Sequence, residues 1–236
     1  MKIGTETKRG SAKPRPRLRK GEGEQLRREI LDATRDLLAE RGNLDLVSIR
    51  DIAGRVGVSS PSIYLHFEDK DHLSYAVCRE AFESFGARLL PVFAANGNAL
   101  ERLRLLGTEY VRWGLDNAAL YPTLFIGSPP ESIAIEEMAG DPGLLVLDGL
   151  VALIRSGMDD GLISVDHTPE ATAWAMWAGV HGTVMLLTSK MEWMQQHLDA
   201  AGSSVVVPTT AEMIETVVDA LFRAFSAANS QPTNSR

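Results

Sequence analysis

The sequence predicts an all-α fold with a small N-terminal three-helix head and a larger C-terminal helical body. Three observations predict it. Apolar residues recur at helical spacing from Leu26 onward, hydroxyl-bearing residues precede several of these segments where a helix would be capped, and glycines follow where a helix would end. Two C-terminal segments are also apolar over most of their surface, as buried helices are.

Composition describes an ordinary globular chain. At 236 residues and 44% hydrophobic content, it is long enough to bury a substantial core in one or two domains. The single cysteine, Cys78, excludes an intramolecular disulfide and fits a reducing compartment. No apolar secretory region follows the basic N-terminus, and the longest apolar run, 171–187, contains His181 and two glycines. We therefore predict a buried helix there, no membrane association and a cytoplasmic location.

Charge is divided unevenly along the chain. Residues 1–75 carry 15 Lys and Arg against 12 Asp and Glu, whereas residues 76–236 carry 9 against 19. The basic charge is densest in "KRGSAKPRPRLRK", residues 8–20, which has two prolines and no apolar periodicity and is predicted to be disordered. Two interpretations stay open: a solubilising tail, or an arm that reaches DNA phosphates or the minor groove. The arm residues would be Arg15, Arg17, Arg19 and Lys20.

The first helix is predicted over residues 24–41. Leu26, Ile30, Ala33, Leu37 and Leu38 fall on one face, and charged residues fall on the other. The sequence "ERGN" then ends the helix, with Gly42 as the residue that follows its C-terminal cap.

The second helix is predicted to start at Ile49. Ser48 and Asp51 are spaced as a capping box, and Ile52, Ala53 and Val56 would form the buried face. Gly57 should close the helix in the left-handed conformation, which glycine adopts without a steric penalty from Cβ.

A third helix follows at once, with Ser59 or Ser60 as its cap and Pro61 in its first turn. Ile63 and Phe67 would face inward, leaving Ser60, Ser62, Tyr64 and His66 on the other sides. Helix, glycine turn and helix form the helix-turn-helix plan, and these polar side chains suit base edges and phosphates. A plain helical corner with a polar surface remains the alternative.

The stretch "IRDIAGRVGVSSPSIYLHFEDKDHL" resembles the helix-turn-helix of the TetR family of transcriptional repressors, and the likeness covers residues 26–75. The resemblance implies that Ser48 contacts phosphate, that Arg50 lies where some members of the family read a guanine, and that Lys70 binds phosphate. It also implies a set of recognition-helix contacts: Ser59, Ser60, Pro61, Ser62, Tyr64 and His66.

Composition and the resemblance together predict four segments. Composition predicts a disordered arm over 1–23 and a disordered tail over 229–236, and the resemblance implies a DNA-binding domain over 24–70 and a ligand-binding and dimerisation domain over 71–228. The implied function is that of a repressor, released from a palindromic operator in double-stranded DNA by a small-molecule inducer.

Pattern alone predicts the helices of the body. The predicted segments are 69–90 ending at Pro91, 100–121 ended or kinked by Pro122, 144–158 ended by Gly161, and 171–192 following a Thr168 cap. The stretch "IGSPPESIA", residues 126–134, is predicted to be a loop, with a possible short helix after it.

Two body helices are predicted to dimerise. On 171–192, one stripe runs through Trp174, Trp177, Ala178, His181 and Met185, and a second through Ala173, Met176, Val180, Val184 and Leu187. One stripe could face the interior and the other a partner chain. With the apolar stripe of 212–225, two such helices from each chain would form a four-helix bundle, the dimer that the resemblance also implies.

A ligand pocket is predicted in the body, with a mostly aromatic and aliphatic lining. The predicted lining comprises Leu106, Tyr110, Trp113, Tyr121, Phe125, Leu147, Trp174, Trp177, His181 and Met185. The expected inducer is apolar or amphipathic, such as a fatty acid, with its polar end near a tyrosine or His181; the acidic body disfavours a polyanion. The "WAMWAGVHG" element resembles a motif of some TetR-type C-terminal domains, and His181 within it is either a core residue or a ligand contact.

Catalysis finds little support in the sequence. It has no phosphate loop, nucleophile elbow, HExxH motif or paired-cysteine metal spacing, so we expect no enzyme activity, no catalytic residues, no cofactor and no metal. Cys78 is expected to be a core residue, with a thiol redox sensor as the alternative. A helical adaptor that binds no DNA is the competing function.

Overall fold

A computed structural model describes residues 22–125, 140–189 and 191–227. Within these ranges the chain is helical, with a single isolated antiparallel bridge between Ile163 and Ser226, so the all-α prediction is confirmed. The predicted basic arm with Arg15, Arg17, Arg19 and Lys20, the loop over 126–134 and the tail over 229–236 all lie outside the described residues.

Ten α-helices follow one another along the described chain. They are α1 (Glu22–Arg41), α2 (Ile49–Val56), α3 (Ser60–Tyr64), α4 (Lys70–Leu89), α5 (Ala99–Asp116), α6 (Tyr121–Phe125), α7 (Pro142–Asp159), α8 (Pro169–Ser189), α9 (Met191–Ala200) and α10 (Thr210–Phe225). Two short 3-10 helices, Leu44–Leu46 and Leu90–Ala94, lie between them.

The chain divides into two compact units between Val77 and Cys78. The division lies seven residues beyond the domain boundary expected after residue 70, because the buried Leu73 and Val77 of α4 belong to the first unit. Helix α4 therefore begins in one unit and ends in the other.

The first unit packs α1 on α2 and α2 on α3. Its core contains Leu26, Ile30, Leu38, Ile52 and Ile63, all of them buried as the periodicity predicts. Helix α1 begins at Glu22, two residues before the predicted start, so Glu22 and Gly23 are helical and do not belong to the arm. Val56, expected in the buried face of α2, is only half-buried.

The second unit is built around α5, α7, α8 and α10. Its core gathers side chains from all four helices, including Leu103, Ile154, Met176, Val218 and Phe222. The caps that organise it are local: Asn98 and Glu101 form a capping box before α5, and Thr209 and Glu212 form another before α10.

The prediction of one helix over 100–121 was wrong. Helix α5 ends at Asp116, where the Asn117 side chain donates to the Trp113 carbonyl across 2.9 Å and competes for the helix end. Pro122 then lies in the first turn of the new helix α6, where its missing N–H leaves no hydrogen bond unmade.

The prediction of one helix over 171–192 was also wrong at its end. Thr168 caps α8 as expected, since its Oγ1 accepts from the Ala171 N–H across 3.1 Å, but α8 ends at Ser189 and α9 follows from Met191. Thr188 donates from Oγ1 to the Val184 carbonyl across 2.8 Å, a side-chain bond that weakens and bends a helix near its end.

Candidate functional site

The turn between α2 and α3 has the predicted geometry. Gly57 has φ +78°, and the N–H groups of Gly57 and Val58 both donate to the Ala53 carbonyl, each across 2.9 Å. These bonds satisfy the end of α2 while the chain reverses, which requires the left-handed conformation that glycine tolerates. The helix-turn-helix is thus present in the first unit.

The start of α2 is fixed by a small polar cluster. The Ser48 hydroxyl accepts from the Asp51 N–H, and the Asp51 carboxylate accepts from the Ser48 N–H across 3.1 Å. Arg41 on α1 donates to Asp51 Oδ2 across 2.7 Å, and this bond, with those from Ser48, holds the pKa of Asp51 well below its usual range. The cluster orients the N-terminus of α2 relative to α1.

Most of the predicted DNA-contact residues lie on the surface. Ser48, Arg50, Ser59, Pro61 and Tyr64 are exposed, whereas Ser60, Ser62 and Lys70 are half-buried. Ser59 occupies the cap position of α3, but its hydroxyl makes no cap bond; it lies 2.8 Å from the Ser62 hydroxyl instead. The serines therefore partner one another on the surface that the sequence assigns to DNA.

Two of the predicted contacts have an unexpected environment. Helix α3 ends at Tyr64, so His66 lies beyond it, and His66 Nε2 is buried without a hydrogen-bond partner in the described part of the chain. The side chain as a whole is half-buried beside the buried Phe67, so a DNA contact by His66 stays a prediction. Lys70 Nζ donates to the Asp45 carbonyl across 3.1 Å, which holds the ammonium group beside the 3-10 turn.

Two exposed leucines in the first unit were missed by the sequence reasoning. Leu65 follows Tyr64 and exposes 81% of its surface, and Leu46 exposes 61%. The signal for Leu65 was present, since it falls between the inward-facing Ile63 and Phe67. An exposed leucine directly after α3 offers an apolar surface of a kind that can contact thymine methyl groups.

In the second unit, four side chains form a continuous hydrogen-bonded chain. Trp177 Nε1 donates to the Tyr110 hydroxyl across 2.9 Å, the Tyr110 and Tyr121 hydroxyls are 2.8 Å apart, and the Tyr121 hydroxyl lies 2.8 Å from His181 Nδ1. The residues come from α5, α6 and α8. We call these four residues the polar relay.

Burial sets the protonation of the relay. It raises the pKa of Tyr110 to about 12 and raises that of Tyr121 further, while it lowers the pKa of His181. All three shifts have desolvation of the charged form as their main cause. The relay is therefore uncharged near neutral pH, and it suits a hydrogen-bonding role in an apolar setting.

Aromatic rings surround the relay. The Phe125 centroid lies 4.6 Å from that of Tyr121, 5.6 Å from that of His181 and 6.4 Å from that of Trp177. Phe85 on α4 packs edge-on against Tyr110 at 5.5 Å and against Trp113 at 4.9 Å. The contacts of such rings are dispersive and apolar, so the relay provides the polar groups of this region.

The predicted pocket lining is only partly assembled. Tyr110, Trp113, Tyr121, Phe125, Trp177 and His181 come together in one aromatic cluster. Trp174 reaches the cluster through Trp177, at a centroid distance of 5.0 Å, but exposes 53% of its surface. Leu106 is buried, and Leu147 and Met185 are half-buried.

Phe82 and Phe85 complete the cluster and were missed by the sequence reasoning. Phe82 lies 5.6 Å from Phe125 between ring centroids. Their spacing of three residues on one helical face was the available signal. Their presence brings α4 into contact with the rings around the relay.

One face of α8 is apolar and uncovered. Trp174, Ala175, Ala178 and Leu186 are exposed, whereas Ala173, Met176, Val180 and Val184 are buried. Of the two stripes predicted on this helix, the one with Val180 faces the core, and the other is split between the relay and the exposed face. The predicted all-round burial is not reached within a single chain.

Three observations bear on other predicted features. Burial raises the pKa of the Cys78 thiol to about 11, which disfavours the reactive thiolate that a redox sensor needs. Within the described ranges, no three His, Cys, Asp or Glu side chains are grouped so that they could hold a metal ion. In the same ranges, no helix is both long and apolar enough to cross a membrane.

Two protein-family profiles match the chain. The profile described as "Bacterial regulatory proteins, tetR family" matches residues 30–77, and that described as "Tetracyclin repressor-like, C-terminal domain" matches residues 103–221. The first match contains the helix-turn-helix, and the second contains the polar relay.

Individual relatives agree with these matches. The chain is 41% identical over 61 residues to the HTH-type transcriptional repressor Rv1474c and 33% identical over 84 residues to the HTH-type transcriptional repressor KstR2, both from Mycobacterium tuberculosis. These matches span 26% and 36% of this chain, but only 32% and 42% of the relatives' own lengths.

A solved structure is similar over most of the chain. It is the transcriptional regulator FadR from Bacillus subtilis in complex with stearoyl-CoA, with a TM-score of 0.61 and 17% sequence identity. The similarity covers 83% of this chain and 97% of FadR, and at this identity it establishes the shared fold alone.

Proposed function

Because this chain belongs to the TetR family of bacterial regulatory proteins, we propose that it is a sequence-specific DNA-binding repressor, released from a palindromic operator by a small, mostly apolar ligand. The observation that carries the proposal is the glycine turn between α2 and α3, with Arg50 and Tyr64 exposed on either side of it. We further propose that the protein acts in the cytoplasm.

The proposed DNA surface consists of Arg50 on α2, the exposed residues of α3, and Lys70. A guanidinium group can donate two hydrogen bonds to a guanine edge, and the hydroxyl of Tyr64 can contact a base or a phosphate. Lys70 is held beside the 3-10 turn by the Asp45 carbonyl, which places a positive charge at the edge of the same unit. This set supports base reading by α2 and α3 with positioning by Lys70.

The proposed assembly is a homodimer formed through α8 and α10. The exposed apolar face of α8 supports this, because a second copy of the chain would bury Trp174, Ala178 and Leu186 away from water. Small residues such as Ala175 and Ala178 allow two helices to approach closely, and a two-fold interface is self-complementary. The dimer would present two helix-turn-helix units to two half-sites.

The assembly is tested by placing a charge on that face. Ala178→Arg should give monomers in sedimentation velocity, whereas Ala87→Arg, at an exposed position of α4, should sediment as the unchanged protein does. If both variants form the same dimer, α8 does not form the interface.

The operator is tested by a gel shift with genomic fragments followed by footprinting. Two symmetric units should protect inverted half-sites whose centres are one helical turn apart, about 34–36 Å, or a multiple of it. A footprint that lacks inverted repeats would rule out the proposed mode of binding. Absence of any specific fragment would favour the adaptor function instead.

The proposed ligand is a molecule with a long acyl chain, of the fatty-acid class. The aromatic cluster supports an apolar ligand, because its few polar groups are those of the relay and of Trp113, whose Nε1 donates to the Ser84 hydroxyl. The related fold of FadR holds stearoyl-CoA, which has the same type of chain. The acidic charge of residues 76–236 favours the free acid over the polyanionic coenzyme A ester.

Tryptophan fluorescence tests the ligand class. Trp113 and Trp177 lie in the aromatic cluster, so saturating laurate should change their emission and weaken operator binding. A parallel titration with lauroyl-CoA shows whether the free acid or the coenzyme A ester binds more tightly. The ligand class is wrong if neither compound changes emission or operator affinity while a polar metabolite changes both.

A further inference from the structure

The polar relay has a direction, which follows from counting its donors. An indole nitrogen can only donate, so the Tyr110 oxygen accepts from Trp177. The buried Tyr110 hydroxyl hydrogen then needs an acceptor, and the neighbouring Tyr121 oxygen lies 2.8 Å away. In the reverse order, Tyr121 would donate to Tyr110, and the hydrogen of the Tyr110 hydroxyl would have no acceptor among the described contacts.

The direction continues to the histidine. Once Tyr121 accepts from Tyr110, its own hydrogen is donated to His181 Nδ1, again across 2.8 Å. A neutral imidazole carries one N–H group, so with Nδ1 as the acceptor the proton resides on Nε2. Burial lowers the pKa of His181, which keeps this ring neutral near neutral pH.

The Nε2–H group is the open end of the relay. No described residue accepts from it, and Nε2 is not fully buried. The ring lies among those of Tyr121, Phe125 and Trp177, at centroid distances of 5.4, 5.6 and 5.8 Å. A donor without a described partner, within an aromatic cluster, is suited to donate one hydrogen bond to an otherwise apolar ligand.

We propose that His181 Nε2–H donates to the carbonyl or carboxylate oxygen of an acyl ligand, and that the tyrosine relay fixes the tautomer that makes this donation possible. The inference rests on the proposed function, since it assigns the polar contact of the proposed ligand. It restricts the ligand to compounds whose head group accepts a hydrogen bond. Compounds whose head group can only donate are disfavoured, although the acidic body would attract a cation.

The tautomer is tested directly by nitrogen NMR of the ¹⁵N-histidine-labelled full chain. The expected spectrum of His181 shows a protonated Nε2 and an unprotonated Nδ1. In Tyr121→Phe the Nδ1 partner is lost, and the spectrum should shift toward a mixture of the two tautomers. A protonated Nδ1 in the unchanged protein would overturn the inference.

Head-group selectivity is tested with four probes that share one chain: laurate, methyl laurate, lauroyl-CoA and dodecylammonium, each below its micelle-forming concentration. Laurate and methyl laurate should bind at least about threefold more tightly than dodecylammonium, since one hydrogen bond changes affinity by roughly three- to tenfold. Lauroyl-CoA tests whether the same Nε2–H group also donates to a thioester carbonyl oxygen. Equal or tighter binding of dodecylammonium would contradict the inference.

Two substitutions of the histidine separate its two nitrogens. The amide of His181→Asn reaches the Nδ1 position and can keep the Tyr121 contact without an Nε2 donor, whereas the amide of His181→Gln reaches the Nε2 position. We expect His181→Asn to weaken laurate binding about tenfold and His181→Gln to restore it to within about threefold. Equal binding by both variants, with unchanged thermal unfolding, would overturn the assignment of the donor.

These outcomes also separate the inference from the function beneath it. If laurate binds through Nε2–H but leaves operator affinity unchanged, the inference stands and the proposed release mechanism fails. If laurate weakens operator binding and His181→Asn binds laurate as tightly as the unchanged protein, the function stands and the inference is wrong.

Discussion

Arg88 on α4 donates from Nε to the Glu109 carboxylate on α5 across 2.7 Å. A second bond runs from Arg88 Nη1 to Asp116 Oδ2 across 2.6 Å. The bond from Arg88 to Glu109 is the main cause that lowers the pKa of Glu109. The C-terminal half of α4 is thus joined to the helix that carries Tyr110, and α4 continues back into the unit with the helix-turn-helix.

We predict that the two ion pairs of Arg88 carry part of the coupling between ligand binding and operator binding. Arg88→Met keeps the aliphatic stem but removes both bonds, so ligand should change operator affinity several-fold less, a loss of about 1 kcal/mol of coupling free energy. The measurement is operator affinity with and without saturating laurate. Arg79→Met is the matched control, because Arg79 on the same helix pairs only along the surface with Glu83. Equal coupling in both variants would show that the Arg88 ion pairs do not contribute to it.

Substitutions on the proposed DNA surface should separate by role. Arg50→Ala or Tyr64→Phe should change sequence preference at a cost of roughly 1–3 kcal/mol, because each would remove a proposed base contact. Lys70→Ala should weaken binding to every sequence alike. It should also reduce the slope of log affinity against log salt concentration by about the amount expected for one phosphate contact. Competition binding with single-base operator variants measures both effects. Arg155→Ala, in the second unit, provides a control expected to change neither.

Removing residues 1–20 tests the two interpretations of the basic arm. If the arm contacts phosphates, the truncated protein should show a shallower dependence of binding on salt concentration, more so than Lys70→Ala. Operator affinity measured over a series of salt concentrations decides the matter. An unchanged slope would identify the segment as a tail without a DNA contact.

Gly114 should not tolerate a side chain. A Cβ at this position would lie 2.7 Å from both methyl groups of Val184 and 3.1 Å from Tyr121 Cε2, so α5 and α8 would have to separate. Gly114→Ala should therefore destabilise the protein by about 1–3 kcal/mol in urea unfolding. Gly54→Ala is the control, since nothing lies within 4 Å of its Cβ, and alanine should be neutral or stabilising there.

The buried tyrosines predict a loss of stability in alkali. Tyr110 has an ordinary pKa near 10.0 that burial raises to about 12, so the folded state holds this proton more tightly than the unfolded state. This contribution of Tyr110 to stability is fully present below its pKa in the unfolded chain. It is lost as the pH rises through its pKa in the folded state. The free energy of unfolding should fall by about 2 kcal/mol over that interval, as urea titrations near pH 8, 10 and 11.5 would measure.

Tyr110→Phe serves as the control for alkaline titration of lysines and other groups. Its unfolding free energy should fall less steeply over the same pH interval. A decline identical to that of the unchanged protein would show that Tyr110 does not contribute.

The sequence was most informative where structure is local. Gly42 and Gly57 ended their helices with φ values of +73° and +78°, and the Ser48–Asp51 capping box formed as its spacing predicts. These features depend on a few adjacent residues, so the motif and its resemblance were sufficient to locate them.

The errors arose where tertiary contacts decide between local options. Pro122 fits the end of one helix or the start of the next, and the second arrangement is accompanied by the bond from the Asn117 side chain to the Trp113 carbonyl. The burial of His66 Nε2 likewise depends on tertiary packing that the local pattern does not show. The polar relay joins Tyr110, Tyr121 and His181 from three helices, a meeting that no spacing in the sequence encodes.

The two units can complete their cores at different stages of chain synthesis. The first unit pairs α1 with α2 and α2 with α3, so each contact closes soon after its residues leave the ribosome. In the second unit, Leu103 on α5 shares a core with Val218 and Phe222 on α10, and that core stays open until α10 has been made. During that interval the apolar faces of α5 and α8 lack their α10 partner, so we expect slower translation between α8 and α10 to lower the soluble yield.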